Sequence, residues 1–267
     1  MRPLSPTRLM PLVLGAALLP ATLHAQGFAA FTSPPRFELK VSPGQPLQQV
    51  MEIQHVGKTQ GRYRIYTNDW TLEADNSAAF TNELAPDSCR PWVAIERREL
   101  SIAPGARYRY RFEITPPAGT PPRECRFAIM VEGLETAQTQ GDLSFPVGGR
   151  IGVIVYATLG EVAPALAITG TETVRVNGKP VAVLKVRNSG HATGRLEGFV
   201  DATDGNGQKL ELAPADLPIL PGETRRIPLA IATLDGKPAP ELKFPVKARG
   251  ALESGKNKLA LDASFAP

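Results

Sequence analysis

The stretch RYRYRFEI, residues 107–114, alternates without a break. Tyr108, Tyr110, Phe112 and Ile114 share one parity, and Arg107, Arg109, Arg111 and Glu113 share the other. A period of two with one apolar and one charged face is a half-buried β-strand. Turn residues bound it, with Pro104 and Gly105 before and Pro116 and Pro117 after. Working outward, Cys125, Phe127, Ile129 and Val131 repeat the period, and so does DLSFPVGGRIGVIVY at 142–156. Upstream, residues 37–41, then Leu47, Met51 and Ile53, then Tyr63 and Ile65, and the extended run 92–102 read the same way. Residues 71–88 are polar and read as a long connection. Roughly seven short strands with turns every 8–12 residues predict a β-sandwich. Helical periodicity is confined to the first residues of the chain.

The pattern restarts after Pro164. Leu166 and Ile168, the run 181–186, then 196–202, 217–220, 227–231, 242–246 and 259–265 make a second set, with a hairpin turn at Asn177 and Gly178. The two halves share their punctuation. GKTQGR at 57–62 is echoed by GHATGR at 190–195, and LSIAPG at 100–105 by LPILPG at 217–222, in the same order. Two copies of one sandwich topology are the expectation. The domains are set at 26–158 and 166–267, with a linker at 159–165.

Arg2 and Arg8 precede an apolar run from Leu9 to Leu19, and Ala25 offers a small residue for cleavage. That is the layout of a secretory signal peptide, here 1–25. The run is shorter than the ~20 residues a span needs. No later stretch is apolar enough to span, so no membrane insertion is expected after cleavage. Cleavage removes two arginines and no acidic residue, taking the formal net charge from +4 to about +2. Such a balance, without a concentrated basic face, argues against a nucleic-acid partner. In an oxidising compartment Cys89 and Cys125 are expected to form a disulfide.

No catalytic or metal constellation emerges. His55 and His191 fall in different predicted domains, so neither joins a Ser-His-Asp arrangement. A copper site would need two histidines and a free cysteine together. Asp204 begins a calcium-like DGNG, but the rest of that loop is missing and a hairpin turn explains it. The row Arg107, Arg109 and Arg111 is a solvated strand face. The chain is therefore expected to bind rather than catalyse, with no cofactor and no metal.

Several motifs resemble the periplasmic chaperones of the chaperone–usher route of pilus assembly. They are PRFEL at 35–39, PWV at 91–93 followed by LSIAPG, RECRF at 123–127, and the apolar run 149–156 ending in Tyr156. The resemblance implies two immunoglobulin-like β-sandwich domains in an L or boomerang, located in the periplasm. It implies partners that are pilin-like or surface-fibre subunits and an outer-membrane usher, and it leaves room for self-association when empty. A donor strand would be lent to the subunit by Leu143, Phe145, Val147, Ile151 and Val153, a form of β-augmentation. The subunit's terminal carboxylate would be anchored by Arg36. The family's cleft lysine has no match here, its position falling at Gly152 or Val153. Arg150 is the nearest cation and is assigned as the second anchor. Pro146, which cannot donate to a ladder, interrupts the donor row. The alternative is a non-chaperone envelope module of the same fold, binding through its loops, residues 70–88 in particular.

Overall fold

The computed structural model describes residues 28–266, apart from 87, 135–137, 141–142, 146–147 and 234–239; for 138–140 and 143–145 it describes the backbone alone. The signal peptide expected at 1–25 lies outside the described residues. Among those residues no helix is long and apolar enough to cross a membrane.

The first unit is a sandwich of two sheets. Its strands are β1 (Ala30–Ser33), β2 (Arg36–Val41), β3 (Leu47–His55), β4 (Gly61–Leu72), β5 (Ala78–Thr81), β6 (Val93–Ile95), β7 (Glu99–Ile102), β8 (Arg107–Ile114), β9 (Arg123–Gly133), β10 (Gln138–Gln140), β11 (Leu143–Phe145) and β12 (Arg150–Leu159). One sheet has the order β1-β3-β8-β6 and the other β2-β12-β9-β4-β5, with β7 also on β4. All pairings are antiparallel except β2 with β12, which is parallel. The opening stretch switches sheets between β1 and β2, and this order is the immunoglobulin-like arrangement. Among the described residues, the short β10 and β11 pair with each other and with no other strand.

The alternation read from the sequence is realised in the core. Tyr110, Phe112 and Ile114 of β8 face Phe127, Ile129 and Val131 of β9, and Met51 and Ile53 of β3 complete the layer. Strand β9 is covered on both faces, because Ala128 and Met130 are buried on its outer side. Cys89 and Cys125 form a disulfide that ties the segment before β6 to β9. Two elements differ from the sequence reading. Residues 71–88 are not one long connection: β4 continues to Leu72 and β5 folds back on it, so Phe80 pairs with Trp70. The run 92–102 is split between β6 in one sheet and β7 in the other.

The second unit contains β13 (Leu166–Val176), β14 (Lys179–Asn188), β15 (Val200–Thr203), β16 (Lys209–Pro214), β17 (Thr224–Ile231), β18 (Val246–Ser254) and β19 (Asn257–Phe265). They form one folded sheet, β13-β14-β17-β16-β15-β18-β19, around a second core that includes Leu184, Leu212, Ile227, Leu252 and Phe265. The sequence reading missed β16 and placed a strand at 217–220. There the chain makes only a single bridge, Gly194 with Ile219. It also missed most of β18, whose core side carries the small Ala248 and whose middle is Gly250, so its apolar signal is weak.

The internal repeat has a structural counterpart. Gly61 pairs with Ile102 in the first unit, and Gly194 pairs with Ile219 in the second. These are the same positions of the echoed motifs. The loops are organised alike. His55 Nε2 lies 2.7 Å from the Thr59 carbonyl, and Asn188 Nδ2 donates to the Ala192 carbonyl at 2.8 Å; each bonds the residue four ahead. Each Pro-Gly turn places its glycine at positive φ, +69° at Gly105 and +78° at Gly222, a conformation that favours glycine.

Candidate functional site

Strand β2, RFELKV, buries Phe37 and Val41, so Arg36, Glu38 and Lys40 point to the other side. That side faces a cleft between the two units. On β12 the core takes Val153, Val155, Ala157 and Leu159, which turns Tyr156 outward into the same cleft. The second unit contributes the loop between β14 and β15, with Thr193 and Arg195, and the segment after β16, with Asp216 and Leu220. The cleft has a volume of about 440 Å³ and is lined by Arg36, Glu38, Lys40, Glu124, Tyr156 and Arg195 among others.

Its centre is a closed ring of four charges. Arg36 Nη1 donates to Asp216 Oδ2 at 2.8 Å, and Arg195 Nε donates to Asp216 Oδ1 at 2.8 Å. Glu38 Oε1 closes the ring, 3.0 Å from Arg36 Nε and 3.7 Å from Arg195 Nη1. Hydrogen bonding to Asp216 holds the Arg36 guanidinium above its ordinary pKa, against the opposing effect of burial. Burial differs around the ring. The Arg195 side chain is 12% exposed, Arg36 40% and Asp216 61%. Arg195 is held from below by the Tyr156 ring, whose centroid lies 5.4 Å from its guanidinium carbon. Burial pushes the Tyr156 hydroxyl up to about 12, so it stays protonated beside Arg195.

Apolar contact joins the units next to this ring. Trp70 and Tyr156 meet edge to face at 5.9 Å, and Leu220 of the second unit packs on them with Ala128 and Met130. Ile219, its neighbour, faces its own core, so one LPIL segment serves both sides. Arg225 of β17 donates to the carbonyls of Leu72 and Glu73 at 2.9 and 2.6 Å. Glu124, only 4% exposed, accepts from the Thr193 amide at 2.8 Å and from its hydroxyl. Replacing Glu124 with Ala orphans that amide and should cost about 1–3 kcal/mol. A lower urea midpoint and faster proteolysis in 159–165 would report it; an unchanged profile would show the contact to be dispensable.

The expected site residues are not all brought together. Arg36 is in the cleft. Arg150 stands at the start of β12, opposite Glu132 of β9 and near the Tyr66 hydroxyl, which burial raises above its ordinary pKa. Arg36 pairs with Ile154, four residues further along β12, or about 13 Å at strand rise. Gly152, where the resemblance places a cation, lies under Phe80: a Cβ there would sit 2.4 Å from the ring. Val153 is fully buried in the chain's own core, and Ile151 is half-buried against it. The backbone of Leu143–Phe145 pairs with Gln138–Gln140. Val147 and Pro146 lie outside the described residues. Arg195 and Asp216 were not singled out by sequence reasoning as site residues. The only signal was the echo of GKTQGR in GHATGR, which marks Arg195 as repeat punctuation and says nothing of Asp216. Among the described residues no group of three or more His, Cys, Asp or Glu could hold a metal ion.

No family model and no curated protein matches the chain. Many solved structures similar to it are chaperones of fimbrial assembly. The class 5 fimbriae chaperone CfaA is 14% identical, with 89% of this chain and 99% of that chain covered, at a TM-score of 0.46. A chain in the complex of Salmonella enterica SafA pilin with the SafB chaperone is 11% identical, covering 90% and 99%, at 0.47. The Pseudomonas aeruginosa CupB2 chaperone is 8% identical, covering 88% and 100%, at 0.45.

Proposed function

We propose that this chain is a periplasmic chaperone that holds exported, sandwich-like fibre subunits by lending them a strand, and passes them to an outer-membrane usher. One observation carries the reading. Strand β2 covers the outer edge of β12 only from Ile154 onward. Along Arg150–Val153 that edge has no ladder partner among the described residues, while β9 pairs the other edge throughout. A strand entering this gap parallel to β12 would finish beside Arg36, bringing its terminal carboxylate to a guanidinium. An antiparallel strand would bring its amino terminus there instead, next to a like charge. Backbone pairing along the gap supplies affinity, and the alternate side chains Leu143, Phe145, Val147 and Ile151 supply contacts for a subunit groove. Donation by Leu143 and Phe145 requires β11 to leave β10.

Replacing Leu143 and Phe145 together with Glu tests this reading. Two apolar anchors at about 1.5–3 kcal/mol each correspond to capture weakened by about 100-fold or more. The periplasmic level of the fibre subunit co-expressed with the chain should collapse. A level equal to that with the unaltered chain would sink the proposal.

The closed ring favours a second reading, an envelope module that binds through its loops. Arg36 already has two carboxylate partners, Glu38 and Asp216, with which a third would have to compete. In that reading the 143 and 145 replacements leave binding intact.

A further inference from the structure

We propose that Asn188 is the positioning residue of the cleft: its side chain ties together the linker, the loop and the turn that carry the second unit's cleft groups, and so sets where those groups stand. The inference deepens the proposed function and rests on it only for what the cleft serves.

Asn188 ends β14 and is fully buried. A primary amide offers two acceptor and two donor positions, and here every one is used. Oδ1 accepts from the amides of Ala165 at 3.1 Å and Gly190 at 2.9 Å. Nδ2 donates to the carbonyls of Ala192 and Ile219, each at 2.8 Å. The backbone adds to this, since the Asn188 amide donates to the Glu223 carbonyl and its carbonyl accepts from the Gly222 amide, each at 2.9 Å. One residue thus gathers the end of the linker, the loop 189–195 and the segment 216–223. Gly190 lets loop and linker come this close, because a Cβ there would sit 2.4 Å from the Ala163 carbonyl oxygen.

These segments carry the second unit's side of the cleft. The loop holds Thr193, bonded to Glu124, and Arg195, stacked on Tyr156. The segment 216–223 holds Asp216, bonded to Arg36, and Leu220, packed with Trp70 and Tyr156. Glu223 in turn fixes Arg225 Nε at 2.8 Å. The side-chain bonds of Asn188 stay within the second unit and the linker, so it acts on the cleft through these groups. The internal repeat shows what is particular here. The corresponding position of the first unit is His55, also followed by glycines two and six residues on, Gly57 and Gly61 against Gly190 and Gly194. His55 bonds the Thr59 carbonyl and the Tyr63 hydroxyl. A ring with two nitrogens cannot make the four bonds that the amide at 188 makes to three segments.

Hydrogen exchange in the intact protein tests this, read as protection at the amides of Ala165, Thr193, Gly194 and Ile219. Asn188→Asp keeps the acceptors for Ala165 and Gly190 but, when ionised, turns an oxygen on the Ala192 and Ile219 carbonyls. Protection at Thr193, Gly194 and Ile219 should fall about tenfold or more. Leu184 and Ala248, in the core of the same unit, should keep theirs. Protonating the introduced carboxyl restores a donor, so the loss should shrink as pH falls, measured against the unaltered protein at each pH. Asn188→Ala should show the loss at every pH, and at Ala165 as well. Unchanged protection at Thr193, or a loss in Asn188→Asp that ignores pH, would overturn the proposal. So would a loss spread evenly to Leu184 and Ala248, because the residue would then only stabilise its own unit. Should neither variant fold, the unaltered protein decides: under mild urea the four amides should open with one common free energy, and separate values would overturn the proposal. The exchange measurements involve no donor strand. They can succeed while the 143 and 145 replacements leave subunit levels unchanged, and they can fail while those replacements abolish capture.

Discussion

Phe127→Ala is expected to lower the unfolding free energy of the first sandwich by about 3–5 kcal/mol. Phe127 is fully buried on β9, the strand that lies between β12 and β4. Its side chain belongs to the layer in which the two sheets meet, opposite Tyr110 and Phe112. Truncation removes apolar area from the interior and leaves a cavity that strands paired on both sides cannot close. Domains of this size have about 5–15 kcal/mol in hand, so the loss is a large fraction of the total. Urea unfolding measures it as a lower midpoint at unchanged slope. A cost below about 1 kcal/mol would mean that the site collapses freely, and the central place given to β9 would be wrong.

The second large effect concerns the disulfide. Replacing Cys89 and Cys125 with Ala should cost about 3–4 kcal/mol in the chain-entropy model, for a closed loop spanning 36 residues. That loop contains β6, β7 and β8, so the bond links the sheet holding β6 and β8 to the one holding β9. Both sulfurs lie in the core, so alanine also loses a small amount of packing. The oxidised protein should unfold at a higher urea concentration than either its reduced form or the variant. The reduced form and the variant should unfold together. If all three coincide, the bond adds nothing to stability.

How much could be read from the chain alone varied with the kind of feature. Strand β8 was legible because each residue's environment follows from its parity, and parity is written locally. The echo of GKTQGR and LSIAPG was legible for a related reason. Turns need particular residues at fixed offsets, and Gly105 and Gly222 both have positive φ. The hairpin of β4 and β5 was hidden because its apolar residues, Trp70, Leu72 and Phe80, face an outer surface that only the fold covers. Strand β18 was hidden because its buried side carries the small Ala248, and Gly250 at its middle is exposed and has no side chain to mark a face. Arg150 was chosen as an anchor for nearness along the chain, but position along β12 separates it from Arg36 by about four strand residues.

The residues by themselves determined an all-β chain of two repeated units, the face each clear strand turns to its core, and the pairing of the two cysteines. Those follow from period, punctuation and compartment, all of which act within a strand or a turn. Only the tertiary structure decided where the charges of the cleft converge. Arg36 and Asp216 are 180 residues apart in the chain and 2.8 Å apart in space. Nothing periodic marks such a pair, because its members lie on different units and each alone looks like an ordinary solvated charge. The same holds for the edge of β12 at Arg150–Val153, which has no ladder partner among the described residues because β2 begins at Arg36, opposite Ile154.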